Sequence, residues 1–216
     1  MFKIIAAAVA LLAMPVAGNA AQIVLSPASV VGSSGFYTAC CNFNPGSILD
    51  QQTGSVTESF GAGYWLNPDN GPAAAFITID LGAVYSLSSI SLFNTSNGAY
   101  GDRGTSSFQI LGGNSVTGGM INAPSVAASG VLAADAPSTT RTAQVFAAAG
   151  SFRYISFNPT GVASFNNPCC GANVYGLNEL RVEGATVPEP AAWALMIAGF
   201  GMVGVAARRR SSVVTA

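Results

Sequence analysis

The chain predicts an all-β antiparallel sandwich of the jelly-roll kind, with an export signal before it and an apolar helix after it. Three observations carry this. Between residues 22 and 186 apolar residues recur at alternate positions in short runs bounded by Gly, Pro or Asn. No stretch in that interval keeps a helical apolar period for three turns. The long apolar segments sit instead at the two ends, each beside positive charge.

The elements follow in chain order. Residues 1–20 hold one positive charge, Lys3, then an apolar stretch over residues 4–16 and small residues at Gly18 and Ala20. That is the layout of a cleavable secretory signal, cut after Ala20. Residues 21–186 read as one domain. Within it Phe76-Ile77-Thr78-Ile79-Asp80-Leu81 alternates, with Ile77, Ile79 and Leu81 on one face. Ile90 and Leu92 repeat the pattern after the turn-prone Gly82, and residues 107–111, 142–146, 152–157 and 179–183 add further strands. Residues 112–125, rich in Gly and Asn, read as loop. Short strands with generous loops indicate a sandwich or jelly roll.

The last segment, residues 187–216, has three parts. Val187-Pro188-Glu189-Pro190 cannot continue a strand or a helix, so it ends the domain. Residues 191–207 carry no charge and would measure about 26 Å as a helix, at the short end of what spans a bilayer core. Arg208-Arg209-Arg210 follow, and positive charge at that end favours a cytoplasmic C-terminus with everything upstream outside.

Charge narrows the function classes. Of eight basic residues, Lys3 and the three terminal arginines belong to the ends, leaving Arg103, Arg141, Arg153 and Arg181. Of nine acidic residues only Glu189 lies outside the domain, so eight acids face four arginines there. With no basic stretch and no lysine, the domain has nothing with which to hold a phosphate backbone, which argues against nucleic acid. Sparse charge with abundant Ser, Thr, Asn and Gly suits a neutral polar partner such as glycan, and suits a passive extracellular protein equally. The chain has no histidine and the domain no lysine, so Ser-His-Asp, Cys-His and Ser-Lys arrangements are ruled out in the domain. A carboxylate pair such as Asp69 and Asp102 remains for glycoside hydrolysis, but no spacing marks one. The expectation is a protein that is not an enzyme.

The tripartite tail resembles the PEP-CTERM sorting signal of Gram-negative bacteria that make extracellular polysaccharide. The resemblance rests on Val187, Pro188, Glu189 and Pro190, the apolar span, and Arg208, Arg209 and Arg210, all in order. It implies export across the inner membrane, a transient single-pass anchor, and handling by an exosortase that cuts near the Pro-Glu-Pro. The domain in turn resembles a discoidin domain, the galactose-binding-like jelly roll also called the coagulation-factor type C domain. Ser47-Ile48-Leu49-Asp50, Tyr64-Trp65 and Ile77-Thr78-Ile79-Asp80-Leu81-Gly82 match its first half. Asp102-Arg103-Gly104 with Ser107-Phe108-Gln109-Ile110 match its middle. Arg153-Tyr154-Ile155-Ser156-Phe157 and Gly176-Leu177-Asn178-Glu179-Leu180-Arg181-Val182 match its last strands. Many such domains bind glycan noncatalytically through loops at one end, and the resemblance assigns Trp65 to the core.

The resemblance also implies one structural calcium between an early loop and the last strand. Calcium asks for hard oxygen ligands. Asp50 stands at the early position, with Thr53 or Ser55 as hydroxyl donor, and Glu179 at the late one, beside Asn178. The loop departs from the family in lacking a glycine after the aspartate, because Gln51 stands there. The alternative is that Asp50 caps a turn and Glu179 meets Arg181 or Arg153.

Four cysteines form two adjacent pairs, Cys40-Cys41 and Cys169-Cys170. Export makes disulfides the default, and adjacent spacing without histidine does not suit zinc. Two bridges between the pairs and one vicinal bridge within each pair both remain open, the former favoured. A bridge between the pairs closes a loop of about 130 residues, worth on the order of 4–5 kcal/mol by loop entropy. Ligand-reading residues are expected in two loops, Asn94, Asn97, Tyr100, Asp102 and Arg103 in one, Phe165, Asn166 and Asn167 in the other. Sugar recognition needs an aromatic face and planar amide or guanidinium donors, which both loops supply between them. Two functions stay open, a glycan-binding module in the exported polysaccharide and an adhesive protein making protein contacts.

Overall fold

The computed structural model describes residues 20–38, 43–53, 63–68, 71–95, 103–134, 141–163, 174–188 and 190–211. Twelve strands and one helix lie among them. In chain order the strands are β1 (Ala21–Gln22), β2 (Val30–Ser33), β3 (Trp65–Leu66), β4 (Ile77–Phe93), β5 (Gly104–Gly113), β6 (Val116–Thr117) and β7 (Met120–Ile121). Then come β8 (Ser125–Val131), β9 (Ala143–Ala147), β10 (Ser151–Ala163), β11 (Gly176–Leu177), β12 (Glu179–Thr186) and the helix α1 (Pro190–Ser211). Pairing among the strands is antiparallel throughout, as the period-two runs predict.

The architecture follows from β4, which belongs to two layers. Its first half pairs with β2 and β10, and beyond β10 lie β5 and β8. Its second half pairs with β12 and β9, and beyond β12 lies β1. Ile77, Ile79 and Leu81 of the first half, with Phe108, Ile110, Ile155 and Phe157, share one buried core with Ile90, Leu92, Leu180 and Val182 of the second. Phe108 on β5 meets Phe146 on β9 edge to face at 4.8 Å, which joins the layers directly. Trp65 is fully buried, edge-on to Phe157 at 6.3 Å, and its indole N–H donates to the Gly35 carbonyl at 3.0 Å.

Three expectations need correction. Gly82 is no turn: β4 runs through it, with φ +86° and open space where a Cβ would stand, and the strand bends from one layer to the other. The stretch read as loop holds the β6–β7 hairpin, turned by Gly118 and Gly119 at positive φ. Its turn packs on β2 so closely that a Cβ on Gly32 would overlap the Gly119 carbonyl. The third concerns the helix. α1 forms where the apolar run predicts it, and Leu195, Met196, Ile197, Phe200, Met202 and Val203 are exposed along it. Among the described residues, however, no helix is long and apolar enough to cross a membrane, so the span over 191–207 is not shown.

The pairings divide the molecule into two poles. β12 begins at Glu179 opposite Phe93 and ends at Thr186 opposite Tyr85, roughly 23 Å away at the rise of an extended strand. At the Phe93 pole β5 starts beside the end of β10, Gly104 opposite Ala163. At the Tyr85 pole β1 starts opposite Gly184, and Val187 N–H donates to the Val84 carbonyl at 2.9 Å. Asn94 fastens the first pole. Its Nδ2 donates to the carbonyls of Thr105 (2.8 Å) and Ala133 (3.0 Å), and its Oδ1 accepts from the amides of Thr95 and Thr105, each at 3.0 Å. Beside it Thr105 Oγ1 donates to the Gly176 carbonyl, and a Cβ on Gly176 would overlap the Arg103 carbonyl.

This predicts a large effect from a small change. Asn94→Ala strands buried amides and carbonyls together and should cost on the order of 3 kcal/mol or more in denaturant unfolding. A loss below about 1 kcal/mol would show that the pole does not depend on this amide.

Candidate functional site

The early loop and the last strand meet, as the calcium expectation requires. Pro45–Leu49 is a 3-10 turn whose Ser47, Ile48 and Leu49 are buried, and Asp50 caps its end. Asp50 Oδ1 accepts the Gln52 amide at 2.9 Å, an Asx turn. Gln51 then takes φ +64°, the left-handed conformation, which costs a side-chain-bearing residue about 1–2 kcal/mol. The backbone thus adopts the glycine geometry although the glycine is missing. In that conformation the Gln51 amide donates to Glu179 Oε2 at 3.2 Å, across 128 residues of chain.

Glu179 opens β12 and is fully buried. Burial pushes its carboxyl up to about 8; the Arg181 guanidinium opposes this and the Asp50 charge adds to it. Burial likewise raises Asp50, against the Gln52 hydrogen bond. Asn178 donates Nδ2 to the Gly63 carbonyl at 2.7 Å, while Gly63, at φ +56°, would bring a Cβ to 3.8 Å from Asp50 Oδ2. Two buried oxygens here, Asn178 Oδ1 and Glu179 Oε1, have no hydrogen-bond partner among the described residues. Buried polar oxygens are nearly always paired, so this pair of orphans calls for an explanation.

The residues fit a hard cation. The Gln51 amide ties Glu179 to the loop of Asp50, and Asn178 donates to the carbonyl of Gly63, which lies beside Asp50. Two carboxylates and an amide thus share one neighbourhood with backbone carbonyls, a hard-oxygen set that suits calcium better than a softer metal. Among the described residues no group of three or more His, Cys, Asp or Glu lies together, so carbonyls and water would complete the shell. The alternative reading is partly met as well: Arg181 Nε lies 3.6 Å from Glu179 Oε1. Arg153 does not take part, since it holds Asp80 through Nε (3.1 Å) and Nη2 (3.0 Å). Sequence reasoning missed two supports of this site, Gly63 and the Phe93 ring, over which the Arg181 guanidinium lies at 4.8 Å. The only signal was a glycine directly before Tyr64-Trp65.

The sugar-loop residues divide differently. Asn94 is fully buried and makes all four of its amide hydrogen bonds internally, so it fastens the loop instead of reading a ligand. Arg103 is 7% exposed and lies beneath the pole. Asn97, Tyr100, Asp102, Phe165, Asn166 and Asn167 lie outside the described residues, as do Asp69, Ser55, the four cysteines, Glu189 and the signal segment before Ala20. The flanks of both loops are nonetheless neighbours: Gly104 pairs with Ala163, and Gly176 packs on Thr95 and Arg103.

Comparison with known proteins agrees with both halves of this layout. Residues 186–210 match the PEP-CTERM protein-sorting motif. No curated protein matches the chain. Among solved structures it is similar to the C-terminal domain of a chitobiase from Bacteroides fragilis, at TM-score 0.52 and 15% identity, over 78% of this chain and 100% of that one. Chitosan-binding module 1 from a chitosanase/glucanase of Paenibacillus sp. IK-5 matches at TM-score 0.50 and 15% identity, over 76% and 99%. A putative chitobiase fragment from Bacteroides thetaiotaomicron matches at TM-score 0.50 and 16% identity, over 74% and 90%. At such identities the likeness shows the fold: a discoidin-like, galactose-binding-like antiparallel jelly roll, followed in this chain by a PEP-CTERM sorting motif.

Proposed function

We propose that the chain is an exported, noncatalytic glycan-binding module that an exosortase sorts to the cell surface or into extracellular polysaccharide. One observation carries the glycan part: the flanks of both predicted ligand loops are packed together at the Phe93 pole, away from the sorting signal. Loops held at one end of a rigid sandwich are the usual place for recognition. A solved relative of this fold is described as chitosan-binding, which makes an amino-sugar polymer a sensible first ligand to try. Tyr100 and Asn97 of one loop, with Phe165, Asn166 and Asn167 of the other, would supply the ring face and the amide donors. The adhesive alternative draws on Val126 and Val131, exposed on the edge strand β8.

Calcium belongs to this proposal as a structural ion. Asp50, Glu179 and Asn178 would hold it, with Ser55 close in sequence, and it would supply the charge that their buried oxygens lack. The tail would insert as a transient anchor through its exposed apolar side chains, with Arg208, Arg209 and Arg210 inside. Bridges between the two cysteine pairs are favoured by the cluster of Phe43, Tyr64, Leu66 and Val174, which joins residues flanking each pair.

Three measurements test these parts. Residues 21–186 should bind on a glycan array, and Tyr100→Ala or Asn166→Ala should weaken that binding at least tenfold without moving the melting temperature, as expected for lost ligand contacts of about 1.4 kcal/mol or more. Binding that survives both variants, or none on any glycan, turns the reading toward protein contacts. Mass spectrometry of the extracellular protein should find a C-terminus near residues 187–190; an intact arginine cluster outside the cell would overturn the sorting step. Chelator should lower the melting temperature and calcium, but not magnesium, should restore it, because magnesium demands a tighter octahedron. A melting curve indifferent to chelator would remove the ion.

A further inference from the structure

Arg181 is placed where a bound cation would feel it most. Its Nε lies 3.6 Å from Glu179 Oε1, beyond hydrogen-bond reach, and neither atom has a hydrogen-bond partner among the described residues. Its Nη2 reaches the Gln51 carbonyl at a long 3.5 Å, and its guanidinium lies over the Phe93 ring at 4.8 Å. An arginine and a buried carboxylate built for each other would close to a bidentate pair near 2.8 Å, as Arg153 and Asp80 nearly do. Arg181 and Glu179 instead hold a gap.

We propose that Arg181 is the resident counter-cation of the Asp50–Asn178–Glu179 site, and that it sets the site's calcium affinity by competing for the Glu179 carboxylate. The proposal rests on the calcium reading above. Without the ion, the arginine charge partly compensates a carboxylate that water cannot reach. With the ion, two like charges share one acceptor, and the interaction is strong because the carboxylate is fully buried. The Phe93 ring gives the guanidinium a place of favourable contact beside the site, so a bound ion need not expel it into water. The arginine therefore keeps the ion-free domain folded and makes ion binding weaker than two carboxylates would otherwise provide.

The test is calcium titration calorimetry on the mature secreted protein, together with melting curves in chelator and in saturating calcium. Arg181→Gln should bind calcium at least fivefold more tightly than the wild type, melt lower than the wild type in chelator, and recover that difference in calcium. Arg181→Lys keeps the charge and loses the planar fork, so its affinity should stay within about twofold of the wild type. Equal calcium affinity in wild type and Arg181→Gln overturns the proposal, as does a melting deficit of the same size with and without calcium, since both mark a merely structural arginine. If neither protein binds calcium, the calcium reading falls and this proposal with it; binding by Arg181→Gln alone supports the competition.

Discussion

The constraint on which this molecule depends is that β4 serves two layers at once. Seventeen residues of one strand must bury their first half against β10 and their second against β12. Side chains alternate strictly, so a straight strand could face only one core surface. The bend at Gly82 turns the strand, and an extra residue at Ser88, between the pairs Leu87–Gly184 and Ser89–Glu183, shifts the phase. Buried positions accordingly pass from Ile77, Ile79 and Leu81 to Ile90 and Leu92. The strand then delivers Phe93 and Asn94 to the pole where both candidate sites are built.

That geometry also settles how the domain meets its tail. β12 ends at Thr186, and the bond from Val187 to Val84 is the last one before Pro188. No slack separates the fold from the sorting motif. β1 begins beside the same end of β12, so the residue after the expected signal cleavage and the residues before the motif are neighbours. The Phe93 pole lies roughly 23 Å from the sorting motif along β12, so a domain held by its tail would carry that pole at the far end. Glycan capture and anchorage would then occupy opposite ends and need not exclude one another.

Period-two runs made most of the main strands legible, because half-buried antiparallel strands write their faces into the sequence. β8 was not legible, since Ser125-Val126-Ala127-Ala128-Ser129-Gly130 alternates weakly and sits at an edge. Gly82 misled because the same φ freedom serves a turn or a bend, and only the partner strands decide between them. The meeting of Asp50 and Glu179 was legible through resemblance alone; no local pattern brings residues 129 positions apart together. Asn94 looked like a sugar ligand because residue type does not reveal burial, and an amide with four hydrogen-bonding positions suits a fastening equally well.

The site beside β12 gathers several unresolved conflicts. Gln51 holds a backbone conformation that favours glycine, Glu179 is buried without an acceptor's full complement, Asn178 keeps an oxygen unpartnered, and Arg181 stops short of closing the ion pair. Burial pushes the Glu179 carboxyl up to about 8, and the Arg181 guanidinium opposes that push. Elsewhere the core is apolar, Asn94 makes all four of its amide hydrogen bonds and Arg153 meets Asp80 squarely. Thr78 Oγ1, Thr95 Oγ1 and Asn158 Oδ1, however, are also buried without a hydrogen-bond partner among the described residues. Unpartnered buried oxygens beside a strained backbone are the arrangement a ligand site produces. A divalent ion would address the orphan oxygens and the raised carboxyls together, and the calcium proposal rests on that coincidence.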